Sequence, residues 1–159
     1  MKTFIKRHFK QYNVYLQLVF LLCFYSCKTV AQEVKNGSMT FETILQNEYG
    51  GYAMPTILVV KEETLLQEFF SQINKTRKPG LPIPKVDFNE QMLIVICAGE
   101  RKSSGNEIYI KSVIENNEQI TIHVEEKKPS ENELSTMVIT SPFTIVKIER
   151  KDKKLVFVN

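Results

Sequence analysis

The chain has 159 residues, of which 43% are hydrophobic, 10% aromatic and 25% charged, a composition typical of one folded domain. The first 26 residues, a predicted leader, contain four basic residues and no acidic one, and without them 17 basic residues face 18 acidic ones, a net charge of −1. A nearly neutral body excludes the electrostatic basis for binding nucleic acid or an anionic membrane surface. Two histidines and three cysteines are too few for a disulfide framework or a multi-ligand zinc site, so we expect no metal and no cofactor.

Residues 1–26 have the pattern of a secretory signal peptide. A basic stretch from Lys2 to Lys10 precedes an apolar run from Val14 to Tyr25. This run is about twelve residues long, whereas a membrane-spanning helix needs roughly 20. No second apolar segment of that kind follows, so we expect the mature protein to lie outside the cytoplasm without a transmembrane helix.

Two cleavage sites fit this leader. In the first, Ser26 precedes Cys27, whose thiol is lipidated and which becomes the new N-terminus. Residues 27–38 then form a polar tether and residues 39–159 a single domain, anchored in the bacterial cell envelope, in the periplasm or at the outer membrane. In the second, ordinary signal peptidase cleaves after Ala31, and the mature protein is soluble and secreted.

From residue 39 onward the sequence predicts short strands separated by turns. Apolar and β-branched runs bounded by turn-forming residues indicate the strands. They are 40–46, 56–60, 92–98, 107–114, 120–124, 136–140, 143–148 and 155–158. We expect 56–60 and 92–98 to be buried, 125–133 to be a surface loop, and Phe41 and Leu45 to share one face of the first strand.

One amphipathic helix is predicted to begin near Thr64. The segment Thr64–Gln67 fits a capping box, in which the hydroxyl and the amide satisfy exposed backbone donors. Apolar residues then recur at three- and four-residue spacing and should face the core. They are Leu65, Leu66, Phe69, Phe70 and Ile73. One helix and about seven short strands predict an α+β domain, in which the helix packs on a mostly antiparallel sheet.

No pattern in the sequence indicates a catalytic centre, and we expect no enzymatic activity. His123 is the single histidine after the leader, and it occupies a polar alternate position of a predicted strand. No nucleophile-elbow spacing surrounds a serine. The serines considered are Ser103, Ser104 and Ser141. Adjacent acids such as Glu125 and Glu126 point to opposite faces of a strand and cannot act on one bond. Cys97 lies in an apolar run and is predicted to be a buried, inert thiol.

The loop from Arg101 to Asn106 is the most informative surface feature. It is polar, rich in turn-forming residues, and follows a buried strand that would hold it in place. Loops on rigid scaffolds commonly carry binding function, although an ordinary hairpin loop has the same composition. The residues singled out as a partner-binding site are Arg101, Ser103, Ser104, Gly105 and Asn106.

The order of these features resembles the PrcB-type family of protease-complex lipoproteins over about residues 39 to 150. The resemblance begins with a strand and Tyr-Gly bulge, a strand followed by a helix, and a Pro-x-x-Asp-Phe motif. These are Phe41–Ile44, Tyr49–Gly51, Ile57–Ile73 and Pro84–Phe88. It continues with a buried strand ending in glycine, a Ser/Thr-Gly loop, and a Ser-Pro-aromatic turn into a strand. These are Met92–Gly99, Ser104-Gly105 and Thr140–Val146.

The resemblance implies a non-enzymatic envelope lipoprotein that serves as a protein-binding subunit or stabilising chaperone of an exported protease complex. The expected partner is an exported protease or another envelope protein. One motif departs from the family, because its loop usually reads Thr-Gly-Gly-Tyr and this chain has Ser104-Gly105-Asn106-Glu107. A Ser/Thr-Gly loop is also similar to the binding loops of small extracytoplasmic protease inhibitors. A secreted inhibitor that uses residues 101–106 is therefore the alternative.

Overall fold

This computed structural model describes residues 37–130, 133 and 135–159. The predicted signal peptide, Cys27 and the predicted tether up to residue 36 lie outside the described residues. Across the described ranges, no helix has both the length and the apolar character needed to cross a membrane.

Eight strands and one helix make up the described part of the chain. The strands are β1 (Gly37–Ser38), β2 (Phe41–Asn47), β3 (Thr56–Val60), β4 (Gln91–Cys97), β5 (Glu107–Glu115), β6 (Gln119–Lys127), β7 (Phe143–Glu149) and β8 (Lys154–Val158), and the helix is α1 (Glu63–Ile73). Seven of the eight predicted strands appear within a few residues of their expected bounds. β1 consists of Gly37 and Ser38, the last two residues of the predicted tether.

The strands form two four-stranded sheets. The first has the order β1-β5-β6-β8 and the second the order β2-β7-β4-β3. Neighbouring strands are antiparallel except β6 and β8, which run parallel. The predicted α+β fold with mostly antiparallel strands and one helix is confirmed, although two sheets replace the single sheet expected.

β4 lies at the centre of the molecule because both of its faces and both of its edges are covered. It pairs with β3 on one side and β7 on the other. Met92, Ile94 and Ile96 point into the core between the two sheets, whereas the residues between them point toward the helix. Full burial of one aliphatic side chain of this size contributes about 1.5–3 kcal/mol to the stability of the fold. The prediction of a buried central strand is confirmed.

Helix α1 covers the outer face of the second sheet. The predicted apolar stripe is confirmed, since four of its five members are buried and Leu65 is partly buried. The predicted capping box is wrong. The helix begins at Glu63 after the N-cap residue Glu62, which makes no side-chain capping bond. Thr64 therefore lies inside the first turn, where its hydroxyl cannot cap the helix.

Strand β2 changes its sidedness at a β-bulge between Thr43 and Leu45. Phe41 packs against the core between the sheets, whereas Ile44 and Leu45 pack against the helix-covered core. The prediction that Phe41 and Leu45 share one face is wrong, because one extra residue inverts the alternation beyond it.

Three further predictions are corrected. β3 is an edge strand rather than a buried one, with only Val60 buried and the Ile57 side chain 43% exposed. Segment 136–140 is not a strand, and its apolar side chains face solvent. The predicted surface loop 125–133 begins later than expected, since β6 continues to Lys127.

Candidate functional site

Three loops meet at one end of the helix-covered sheet. Cys97 at the end of β4 lies in register with Thr56 at the start of β3 and with Phe143 at the start of β7. Asn47 at the end of β2 also lies in register with Phe143. Because antiparallel neighbours alternate in direction, the connections of all four strands emerge at this end. We call residues 48–55, 98–106 and 135–142 the loop surface.

The predicted binding loop is bonded to segment 136–140. The backbone N–H groups of Arg101 and Thr140 each donate to the carbonyl oxygen of the other, at 2.8 and 2.9 Å. Ser104 N–H donates to the Thr136 carbonyl oxygen at 3.0 Å, and Ser104 Oγ accepts from Thr136 N–H at 2.9 Å. Thr140 Oγ1 donates to the Ser103 carbonyl oxygen at 2.9 Å. These bonds join the two segments along their length.

Hydrogen bonds also fix the last residues of the predicted binding loop. Gly105 adopts a φ of 81°, a left-handed conformation that suits glycine, and its N–H donates to Glu48 Oε1 at 3.1 Å. The Asn106 side chain is buried, and its Nδ2 donates to the Ser103 carbonyl oxygen at 2.8 Å. Asn106 thus maintains the shape of the loop, and the partner-binding role of residues 101–106 stays a prediction.

Arg101 connects the loop to the other sheet through its side chain. Its Nε and Nη2 donate to the two carboxylate oxygens of Glu126 in β6, at 2.6 and 3.0 Å. These charge-assisted bonds lower the pKa of Glu126 and raise that of Arg101. Lys102 is the residue of the loop 101–106 whose side chain is exposed.

The serines and the histidine do not form a catalytic arrangement. Ser141 is buried, and its Oγ accepts from the backbone N–H groups of Gly50 and Gly51, at 3.0 and 2.8 Å. His123 lies in the middle of β6, in register with Ser112 and Val158, so none of the considered serines is its neighbour in register. The acids Glu125 and Glu126 are bound to cationic partners, Lys111 and Arg101 respectively.

The free cysteine of the described residues is also buried. Cys97 is buried against the helix, and burial raises its pKa to about 12, so the thiol stays protonated. The prediction of a buried thiol is confirmed. Over the described ranges, no group of three or more histidine, cysteine or acidic side chains converges to hold a metal. No buried side-chain polar atom there lacks a hydrogen-bond partner.

The loop surface exposes large apolar side chains. They are Tyr49, 49% exposed; Met54, 73%; Met137, 98%; Val138, 38%; and Ile139, 67%. Three other large apolar side chains of the described residues are exposed and lie elsewhere: Ile57, Ile83 and Val158. The sequence did not indicate these exposed side chains, because the apolar, β-branched run 136–140 predicts a strand. The polar stretch before residue 135 and Ser141-Pro142 after it were the available signals of a surface segment.

Part of the domain is similar to a known protein family. Residues 92–149 match the family model described as PrcB C-terminal. This segment runs from β4 to the end of β7 and contains two of the three loops of the loop surface. The motifs before residue 92 lie outside the match. Neither curated proteins nor solved structures gave a match to the chain. Residues 92–149 are therefore similar to the PrcB C-terminal family, and the resemblance predicted from the sequence is confirmed over this segment.

Proposed function

We propose that this chain is a non-enzymatic envelope lipoprotein, anchored through Cys27, that binds an exported protease and stabilises its complex. The family match supports this proposal, because PrcB-type domains are associated with protease complexes and are not a known catalytic family. The observation that carries the proposal is the position of the loop surface, most of which lies within the matched segment 92–149.

The chemistry of the loop surface favours a protein partner. Several of its polar side chains are already paired, as Ser104 is with Thr136 and Arg101 is with Glu126 of β6. Five of its exposed side chains are large and apolar, with two methionines and one tyrosine among them. Methionine and aromatic residues are enriched at protein interfaces, and clustered exposed apolar side chains mark interaction sites.

Mass spectrometry of the mature protein, combined with chemical cross-linking in the envelope, tests this function. We expect the N-terminal residue to be acylated Cys27 and an exported protease to be among the cross-linked proteins. An unmodified N-terminus at Gln32 without a cross-linked protease would contradict the proposal.

One observation favours a protease inhibitor as the second candidate. The backbone of Ser103–Gly105 is held by several hydrogen bonds, and a loop ordered before binding loses little conformational entropy in a complex. Lys102→Ala changes the exposed side chain of this loop without removing those bonds. If the chain is an inhibitor that uses this loop, Lys102→Ala should weaken inhibition of an exported protease by the purified protein and leave the unfolding midpoint unchanged.

A further inference from the structure

We propose that the apolar segment Met137–Ile139 is the part of the chain that docks on the protease, and that the polar loop Arg101–Asn106 is the brace that presents it. This inference rests on the proposed function and specifies its contact surface. It reverses the roles expected from the sequence, where the polar loop was the binding element.

The segment protrudes although its ends are fixed. Val138 N–H donates to the Thr136 carbonyl oxygen at 2.9 Å, which closes a γ-turn around Met137. Thr136 and Thr140, on the two sides of the turn, are both bonded to the polar loop. Met137 is thereby held at the tip with its side chain 98% exposed. A fixed apolar tip loses little entropy when it enters a pocket.

The polar loop has few groups left for a partner. The Ser104 hydroxyl lies 3.0 Å from Thr136 Oγ1, and Asn106 is buried. The guanidinium of Arg101 is engaged by Glu126. Binding through these side chains would require breaking bonds that hold the loop. The methionine and isoleucine side chains of segment 137–139 have no hydrogen bonds to lose when a partner covers them. Full burial of each contributes about 1.5–3 kcal/mol to the free energy of binding.

The position of β1 indicates that the occupant is a protein and not the lipid surface. Gly37 lies in register with Glu115, at the end of β5 opposite to Glu107 and the loop surface. The nine residues of β5 extend about 30 Å. Every residue before Gly37, Cys27 included, is connected to the domain through this end, so a lipid anchor would join the domain at the end opposite to Met137.

The expected binding partner is a protease surface with an apolar pocket of a size for methionine and isoleucine. The exposed charges on either side of Arg101, those of Glu100 and Lys102, are of opposite sign. The whole of segment 137–139 lies within the family-matched region, which connects this surface to the protease-complex family.

Site-specific photo-cross-linking in the intact envelope tests the proposal. A benzophenone amino acid replaces Met137 or Ile139 in the full chain, and the matched control replaces Ile83, an exposed apolar residue outside the loop surface and the family match. We expect adducts with an exported protease from positions 137 and 139 and none from 83. A protease adduct from 83 alone would overturn this inference and leave the proposed function intact. Adducts only with a second copy or with lipid would overturn both.

Binding of the identified protease by purified variants gives the second measurement. Met137→Ser and Ile139→Ser should each weaken binding about tenfold or more, whereas Ile83→Ser should leave it unchanged. All three side chains are exposed, so the unfolding midpoints should match that of the natural chain. Ser104→Ala should also weaken binding through loss of the brace, and Ser104→Thr, which keeps a hydroxyl, should restore it. Unchanged binding in Met137→Ser and Ile139→Ser would overturn the proposal.

Discussion

Arg101 and Thr140 face each other in an isolated antiparallel bridge, in which each backbone N–H donates to the other residue's carbonyl oxygen. This bridge joins a loop that leaves the central strand to a segment that enters its neighbour. It holds the apolar tip around Met137 in a defined position without a regular strand. The following predictions test the contacts that maintain this end of the molecule.

Gly99→Ala should destabilise the fold by about 2 kcal/mol or more, as measured by urea denaturation. Gly99 has a φ of 77°, and a Cβ there would lie 2.8 Å from the Pro55 nitrogen and 3.0 Å from the Ala53 carbonyl oxygen. Gly51→Ala is the matched control, because Gly51 has a φ of 70° but no atom within 4 Å of the added Cβ. This variant should lose only the cost of placing an alanine in the left-handed conformation, about 1–2 kcal/mol of the free energy of unfolding. Equal losses in the two variants would show that the steric contact at Pro55 is unimportant.

Arg101→Ala should reduce stability in a pH-dependent manner. In the folded chain the pKa of Glu126 is lowered by Arg101, so the ion pair contributes fully above the unfolded carboxyl pKa of about 4.3 and is lost as the pH falls through the lower folded value. We expect a loss of about 1 kcal/mol at pH 7 that narrows below pH 4. Urea denaturation at several pH values measures it. Lys102→Ala, at the exposed neighbouring position, should show no such dependence on pH. A stability loss for Arg101→Ala that is the same at every pH would contradict the ion-pair explanation.

Ser141→Ala should destabilise the chain by about 1–2 kcal/mol, since the N–H of Gly51 loses its acceptor. Hydrogen exchange at the Gly51 amide should accelerate more than exchange at Gly50, whose N–H retains the Ser141 carbonyl oxygen at 2.7 Å. A fluorophosphonate reagent, which labels activated serines, should leave Ser141 of the natural chain unmodified. Labelling at this serine would indicate a catalytic rather than a structural hydroxyl.

Cys97 should resist alkylation in the folded protein. Burial raises its pKa to about 12, so the reactive thiolate is scarce at pH 8 and the sulfur is also shielded from reagents. Peptide mapping after iodoacetamide treatment should find Cys97 unmodified in buffer and modified in concentrated urea. Rapid modification under native conditions would show that the helix opens readily from the sheet.

Local sequence patterns determined most of the secondary structure of this protein. The uninterrupted apolar run of β4 predicted a strand covered on both faces, because its alternating residues leave no polar side for water. The stripe from Leu65 to Ile73 predicted the covering helix, since its spacing matches the helical period. The family resemblance also appeared in the sequence, and the match to residues 92–149 confirmed it.

Tertiary structure decided which segments are buried and what the candidate surface consists of. Thr56–Val60 and 136–140 are both β-branched and apolar, yet the first pairs with β4 at a sheet edge and the second remains outside both sheets. Their composition does not differ enough to separate these outcomes. The pairing of Arg101 with Thr140 joins residues 39 positions apart in the chain, and local periodicity carries no information on such contacts. The exposure of Met137 depends on these long-range hydrogen bonds, which form only when the strands on either side have taken their places.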